Sequence, residues 1–102
     1  MDQAKALEIV KDYVDFLKTQ QLDIQQVYLF GSYAKGTFDE DSDIDVAVIM
    51  KHLENSFRMQ VTLMKLRRKF DTRIEPHPFD KRDFDTTNPF APEILYIGIR
   101  VA

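Results

Sequence analysis

The sequence predicts a small mixed α/β (α+β) domain, a three-stranded sheet with helices packed mainly on one face. Three observations lead there. Residues 3–20 carry a one-sided apolar stripe, and residues 26–30 and 43–50 are short apolar runs on either side of a Gly-Ser turn and an acidic loop. A second long periodic stretch over residues 53–70 then precedes a third extended run. Elements in this order bury their apolar sides as layers, helix on sheet.

In the first helix, Ala6, Val10, Tyr13, Val14 and Leu17 recur at i, i+4, i+7, i+8 and i+11, which places them on one face. The run Gln26–Phe30 has β character and stops at Gly31, where a turn is expected. Thr37–Ser42 is polar and acidic and predicts a loop. Asp43–Met50 alternates and then ends apolar, the pattern of a strand whose last residues are covered on both faces.

The helix expected over residues 53–70 has two apolar sides. Leu53, Phe57, Val61 and Met64 fall on one, with Met59, Leu63, Leu66 and Phe70 roughly opposite. One side can lie under the sheet; the other needs a further helix, a second copy of the chain or a partner. Thr72–Phe79 predicts an edge strand, because Pro76 and Pro78 cannot donate to a ladder. After a polar turn at residues 80–88, Pro92–Arg100 predicts either a terminal helix or an extended arm.

At 102 residues the chain makes one domain, spanning 1–102. Its composition, 44% apolar and 30% charged, excludes a disordered chain. The net charge of −3 gives no general attraction to nucleic acid, so direct nucleic-acid binding is not expected. No cysteine is present, which excludes disulfides and thiolate metal sites. With neither a basic apolar leader nor an apolar run near the ~20 residues of a membrane span, the reading is cytoplasmic, with no membrane association.

The chemistry concentrates in VYLFGSYAKGTFDEDSDIDVAVIM. Residues two apart on a strand share a face, so Asp43 and Asp45 point the same way. Paired carboxylates repel unless a cation lies between them. The Gly31-Ser32 turn upstream offers amide N–H groups and a hydroxyl to phosphate oxygens. A divalent metal beside a phosphate cradle implies a nucleoside triphosphate site. No G-x-x-x-x-G-K-[ST] occurs, which excludes a Walker-type loop. An EF-hand frame starting at Asp39 meets Ile44 and Met50 where Gly and Glu are required.

The string GS-x10-D-x-D within LFGSYAKGTFDEDSDIDVAVI resembles the signature of the nucleotidyltransferase superfamily related to DNA polymerase beta. Within it the chain resembles the minimal nucleotidyltransferases, over roughly residues 5–80. That resemblance implies two Mg²⁺ ions, with Mn²⁺ as an alternative, held by Asp43 and Asp45 on the triphosphate of ATP. It implies β- and γ-phosphates bound by Gly31 and Ser32. A third carboxylate for metal and catalysis falls at Glu75, where many relatives carry Asp. Lys35 is a candidate phosphate contact, set against the plainer reading of a solvated lysine. His77 reads as structural or exposed, and Arg67-Arg68-Lys69 as a solvated helix end.

The same resemblance implies transfer of AMP to a tyrosine on a HEPN-domain toxin, with this chain as the antitoxin and the two-faced helix as a docking surface. Two alternatives stay open. One is a catalytically weak nucleotide-binding antitoxin that neutralises its partner by contact; the other is nucleotidylation of a small molecule.

Overall fold

The computed structural model describes residues 1–85 and 88–102. Its elements are α1 (Gln3–Lys18), β1 (Ile24–Phe30), the single turn α2 (Ser32–Lys35), β2 (Ile44–Met50), α3 (Ser56–Leu66), β3 (Ile74–Asp80), α4 (Ala91–Ile97) and β4 (Ile99–Arg100). Two of the residues in the polar turn expected over 80–88, Thr86 and Thr87, lie outside the described residues. Among the described residues, no helix is long and apolar enough to cross a membrane.

The sheet has four strands in the order β3-β2-β1-β4, one more than the three expected. The added strand comes from the C-terminal stretch, which is both helix and arm. Helix α4 stops at Gly98, whose amide bonds the Ile94 carbonyl at 2.9 Å. A side chain at position 98 would run into that carbonyl, so glycine allows the chain to turn off the helix. It then pairs antiparallel with β1, Ile99 opposite Leu29 and Arg100 opposite Tyr28. Val27 and the last two residues extend the pairing, Val101 N–H donating to Val27 O at 2.8 Å and Val27 N–H to Ala102 O at 3.0 Å.

Strand β2 is antiparallel to β1 and parallel to β3, with Asp45 beside Phe30 on one side and Glu75 on the other. The edge position expected for β3 follows from its prolines. Ile44 N–H donates to the Arg73 carbonyl at 2.8 Å, which sets the odd-numbered amides of β3 toward β2 and turns Pro76 and Pro78 outward. The carbonyls left on that open edge are covered from α3 and the turn after it. Gln60 Nε2 donates to Pro76 O at 3.2 Å and Arg67 Nη1 to Ile74 O at 2.6 Å. Arg67 is therefore an edge cover that blocks further strand pairing, not a solvated helix end.

Alternation sorts the side chains into two layers. Ile44, Val46, Val48 and Met50 join Ala6, Val10, Tyr13, Val14 and Leu17 of α1 and Leu63 of α3 in the main core. Phe30 and Ala47 meet Ile94 of α4 on the opposite face. Helix α3, shorter than the expected 53–70, buries Leu63 and sets Met59 and Leu66 against the main core, joined by Phe70 beyond its end, which resolves one of the two apolar sides. The other side keeps Phe57 at 74% exposure.

Tyr13 ties α1 to α3. Its hydroxyl donates to the Leu63 carbonyl at 2.6 Å, and burial pushes the phenol's pKa well above its ordinary value. Tyr13→Phe keeps the ring contact with Phe70 and loses one buried hydrogen bond. We expect a loss of about 1 kcal/mol, read as a melting temperature lower by about 4–8 °C.

Asp80, at the end of β3, is buried and pins the loop after β2. It accepts from the Arg82 side chain and amide and from the Leu53 amide at 3.1 Å. The hydrogen bonds from Arg82, side chain first, hold its carboxyl well below the usual range. A carboxyl depressed in the folded state stabilises above its unfolded pKa of about 3.9 and loses that contribution as the pH falls below it. Urea midpoints measured between pH 7 and pH 2.5 should therefore decline less steeply for Asp80→Asn, from a lower starting point.

Candidate active site

Gly31 ends β1 with φ 74° and ψ −152°, a region open essentially to glycine alone. A second constraint acts at the same place, because a Cβ on Gly31 would run into the Asp45 carboxylate. The turn and the acid thus sit in direct contact. Ser32 opens α2 and is half-buried.

Asp45 lies on the α4 face of β2, and the parallel register brings Glu75 of β3 alongside it. Asp43 precedes β2 by one residue, is exposed, and lies close enough to Glu75 to act on its carboxyl. Partial burial, then the neighbouring carboxyls of Asp43 and Asp45, push the Glu75 carboxyl above its ordinary pKa, with His77 opposing. Asp45 and Glu75 therefore lie side by side where β2 and β3 begin, with Asp43 just before β2 on the Glu75 side.

His77 stands two residues beyond Glu75 on the same face. Its Nε2 lies 3.3 Å from Asp45 Oδ1, and its ring meets Phe30 edge-on at 5.2 Å. Donor atoms of Asp45, Glu75 and His77 all fall within 4.8 Å of one another. This set, carboxylate oxygens with one imidazole nitrogen, fits a divalent cation. His77 was legible only through the period-2 rule that placed Asp43 with Asp45; applied to Glu75, the same rule adds His77.

Lys35 is not drawn to the carboxylates. It leaves α2 to pair with Glu93 of α4 at 2.7 Å, both half-exposed. The acidic loop closes on itself: Asp39 takes the Asp41 amide on Oδ1 at 2.8 Å, and the Asp39 amide donates to Ser42 Oγ at 2.8 Å.

From His77 an open groove of about 290 Å³ runs along the β3 edge between Phe57, Phe79 and Phe90. It lies on the opposite flank of Asp45 from Gly31, since β2 separates β1 from β3. Phe79 and Phe90 are 6.3 Å apart at their ring centres.

The sheet thus sets an acid of β2 beside a glycine turn and a second acid alongside it on the neighbouring parallel strand. The chain belongs to the nucleotidyltransferase domain family, which it matches over residues 8–95. It is 32% identical over 99 residues to a candidate protein adenylyltransferase of Methanocaldococcus jannaschii, covering 93% of this chain and 97% of that protein. A second candidate protein adenylyltransferase from that organism is 40% identical over 50 residues, 48% of this chain and 47% of its own length.

Among solved structures, a candidate nucleotidyltransferase from Sulfolobus solfataricus shares the fold, with a TM-score of 0.67 at 21% identity, over 96% of this chain and 80% of that one. A toxin–antitoxin structure, the Y104A mutant of MntA-HpeT, is similar at 27% identity with a TM-score of 0.62, over 87% of this chain and 68% of that one. A toxin–antitoxin structure with AMP-PNP shares the fold at a TM-score of 0.63 and 24% identity, over 90% of this chain and 72% of that one.

Proposed function

We propose that this chain transfers AMP from ATP to a hydroxyl acceptor, a tyrosine on a HEPN-domain toxin partner, with release of pyrophosphate, and so acts as an antitoxin. The observation that carries this reading is Asp45 set between the side-chain-free turn at Gly31 and Glu75, with Asp43 beside Glu75. The names of the relatives, protein adenylyltransferases and toxin–antitoxin complexes, support the class of acceptor.

Divalent cations held by these carboxylates would neutralise the triphosphate and sharpen the acidity of the acceptor hydroxyl. The chain's own groups do the rest. Ser32 offers its hydroxyl and amide to phosphate oxygens, while Asp43 and Asp45 fix the triphosphate end of the site. Glu75, on the strand that also borders the groove, would offer its carboxylate oxygen to the acceptor's hydroxyl proton. The acceptor oxygen then bonds to the α-phosphorus as the bond to the β-phosphate oxygen breaks. The groove of Phe57, Phe79 and Phe90 offers flat apolar walls to an aromatic acceptor arriving on the Glu75 side.

A second reading, neutralisation by contact alone, is favoured by the exposed apolar side chains of α3 and α4: Phe57 at 74%, Leu95 at 57% and Tyr96 at 89%. Intact-mass spectrometry of a HEPN-domain partner incubated with the chain, ATP and Mg²⁺ separates the two. Transfer predicts a gain of one AMP on the partner, lost in Asp43→Asn/Asp45→Asn. Full neutralisation by that double variant, with no mass gain from the wild type, supports contact.

A further inference from the structure

We propose that His77 is a nitrogen ligand of the divalent-metal site, which makes the site a mixed imidazole–carboxylate centre and tilts it from Mg²⁺ toward Mn²⁺ and later transition metals. The inference rests on the metal-dependent reading above and assigns a residue that the three-carboxylate scheme leaves unused.

Three observations support it. His77 lies on the same strand face as Glu75, and strand β2 presents Asp45 to both, so the three donors are fixed by backbone register and not by a mobile loop. The separation of His77 Nε2 from Asp45 Oδ1, 3.3 Å, exceeds the usual length of a histidine–carboxylate hydrogen bond. It is close to the roughly 3 Å between two neighbouring donors, each ~2.1 Å from one ion and at right angles about it. The imidazole is also held in place: Phe30 packs against its edge at 5.2 Å, and its side chain is 26% exposed, so little rotamer freedom has to be lost on ligation.

The consequence is selectivity. Mg²⁺ favours an all-oxygen octahedron and retains its waters, whereas imidazole nitrogen raises affinity along the series from Mn²⁺ to Co²⁺ and Zn²⁺. A nitrogen beside Asp45 and Glu75 therefore strengthens binding of the transition ions and adds little for Mg²⁺. His52, the only other histidine in the sequence, lies beyond the end of β2 and is exposed, so it serves as the control.

Pulsed electron paramagnetic resonance of Mn²⁺ bound to the wild-type chain tests this without any substitution. Protein grown with ¹⁴N-histidine should show the hyperfine coupling of a directly bound imidazole nitrogen, and protein grown with ¹⁵N-histidine should lose the ¹⁴N pattern. His52→Gln should retain the coupling and His77→Gln should lose it, with Mn²⁺ affinity falling roughly tenfold and Mg²⁺ affinity changing less than twofold. Bound Mn²⁺ without nitrogen coupling overturns the assignment of His77 and leaves the carboxylate site standing. No Mn²⁺ binding by the wild type overturns both.

Discussion

An Asp45→Asn variant is expected to fold as the wild type does and to lose nucleotidyl transfer by about a thousandfold or more. The size follows from the position. Asp45 touches the Gly31 turn on one side and meets Glu75 and His77 on the other, so it links the turn to the β3 side of the site. Removing a carboxylate that holds a cation at the reacting phosphates withdraws several kcal/mol of transition-state stabilisation, and about 4 kcal/mol corresponds to a thousandfold. The fold has no comparable stake in the charge. Asn matches Asp in volume, and losing one negative charge relieves the repulsion felt at Glu75. A melting temperature equal to or above that of the wild type, with transfer abolished, is the expected pair of results. A variant that keeps more than a tenth of the activity would remove Asp45 from the chemistry.

Gly31→Ala should lower both activity and stability, for two separable reasons. The backbone at φ 74°, ψ −152° resists any side chain, a strain of about 1–3 kcal/mol. The added methyl also displaces the Asp45 carboxylate, and a shift of about 1 Å in a reacting group can cost a hundredfold in rate. Gly36→Ala separates the two effects. Gly36 also has positive φ, at 81°, yet a Cβ there meets nothing within 4 Å. That variant should lose about 1 kcal/mol of stability and keep its activity within about twofold. Initial rates for both variants, compared at matched fractions folded, decide whether the glycine at 31 serves the site or only the turn.

Much of this was legible in the chain because the signals were local. The α1 stripe, the alternation in β2 and the acids at 43 and 45 each declare themselves within a dozen residues; the structure keeps the first two, while β2 begins at Ile44 and leaves Asp43 just outside the strand. Glu75 was named from the resemblance alone; the parallel register of β3 on β2, which sets it beside Asp45, had no signal in the sequence pattern. What escaped depends on contacts distant in sequence. Strand β4 is two residues long, too short for any periodicity, and exists because β1 offers it an edge. Arg67 read as a solvated cation because nothing nearby announced the open carbonyl of Ile74. His77 gained its place from Asp45, 32 residues earlier. Lys35 lies near the expected turn, but Glu93 of α4 claims its ammonium group.

The second apolar side of α3 has a similar history. Its Val61 and Met64 are half-buried and line a shallow groove with Lys65, Arg67 and Arg68, while Phe57 faces solvent nearer the site. The C-terminal helix packs on the opposite face of the sheet, through Ile94 against Phe30 and Ala47. Periodicity detects an apolar face; it does not reveal which neighbour will meet it.

Thermal denaturation with Mg²⁺ and a non-hydrolysable ATP analogue, run on the wild type and on Asp43→Ala, addresses the metal–nucleotide site most directly. Ligands that bind only the folded state at a hundred times their Kd stabilise it by about 2.7 kcal/mol, a rise of about 10 °C or more in a domain of this size. The wild type should show that rise when metal and nucleotide are present together, and Asp43→Ala should show none. An undiminished rise in Asp43→Ala would mean that the nucleotide and its cations bind elsewhere on the chain.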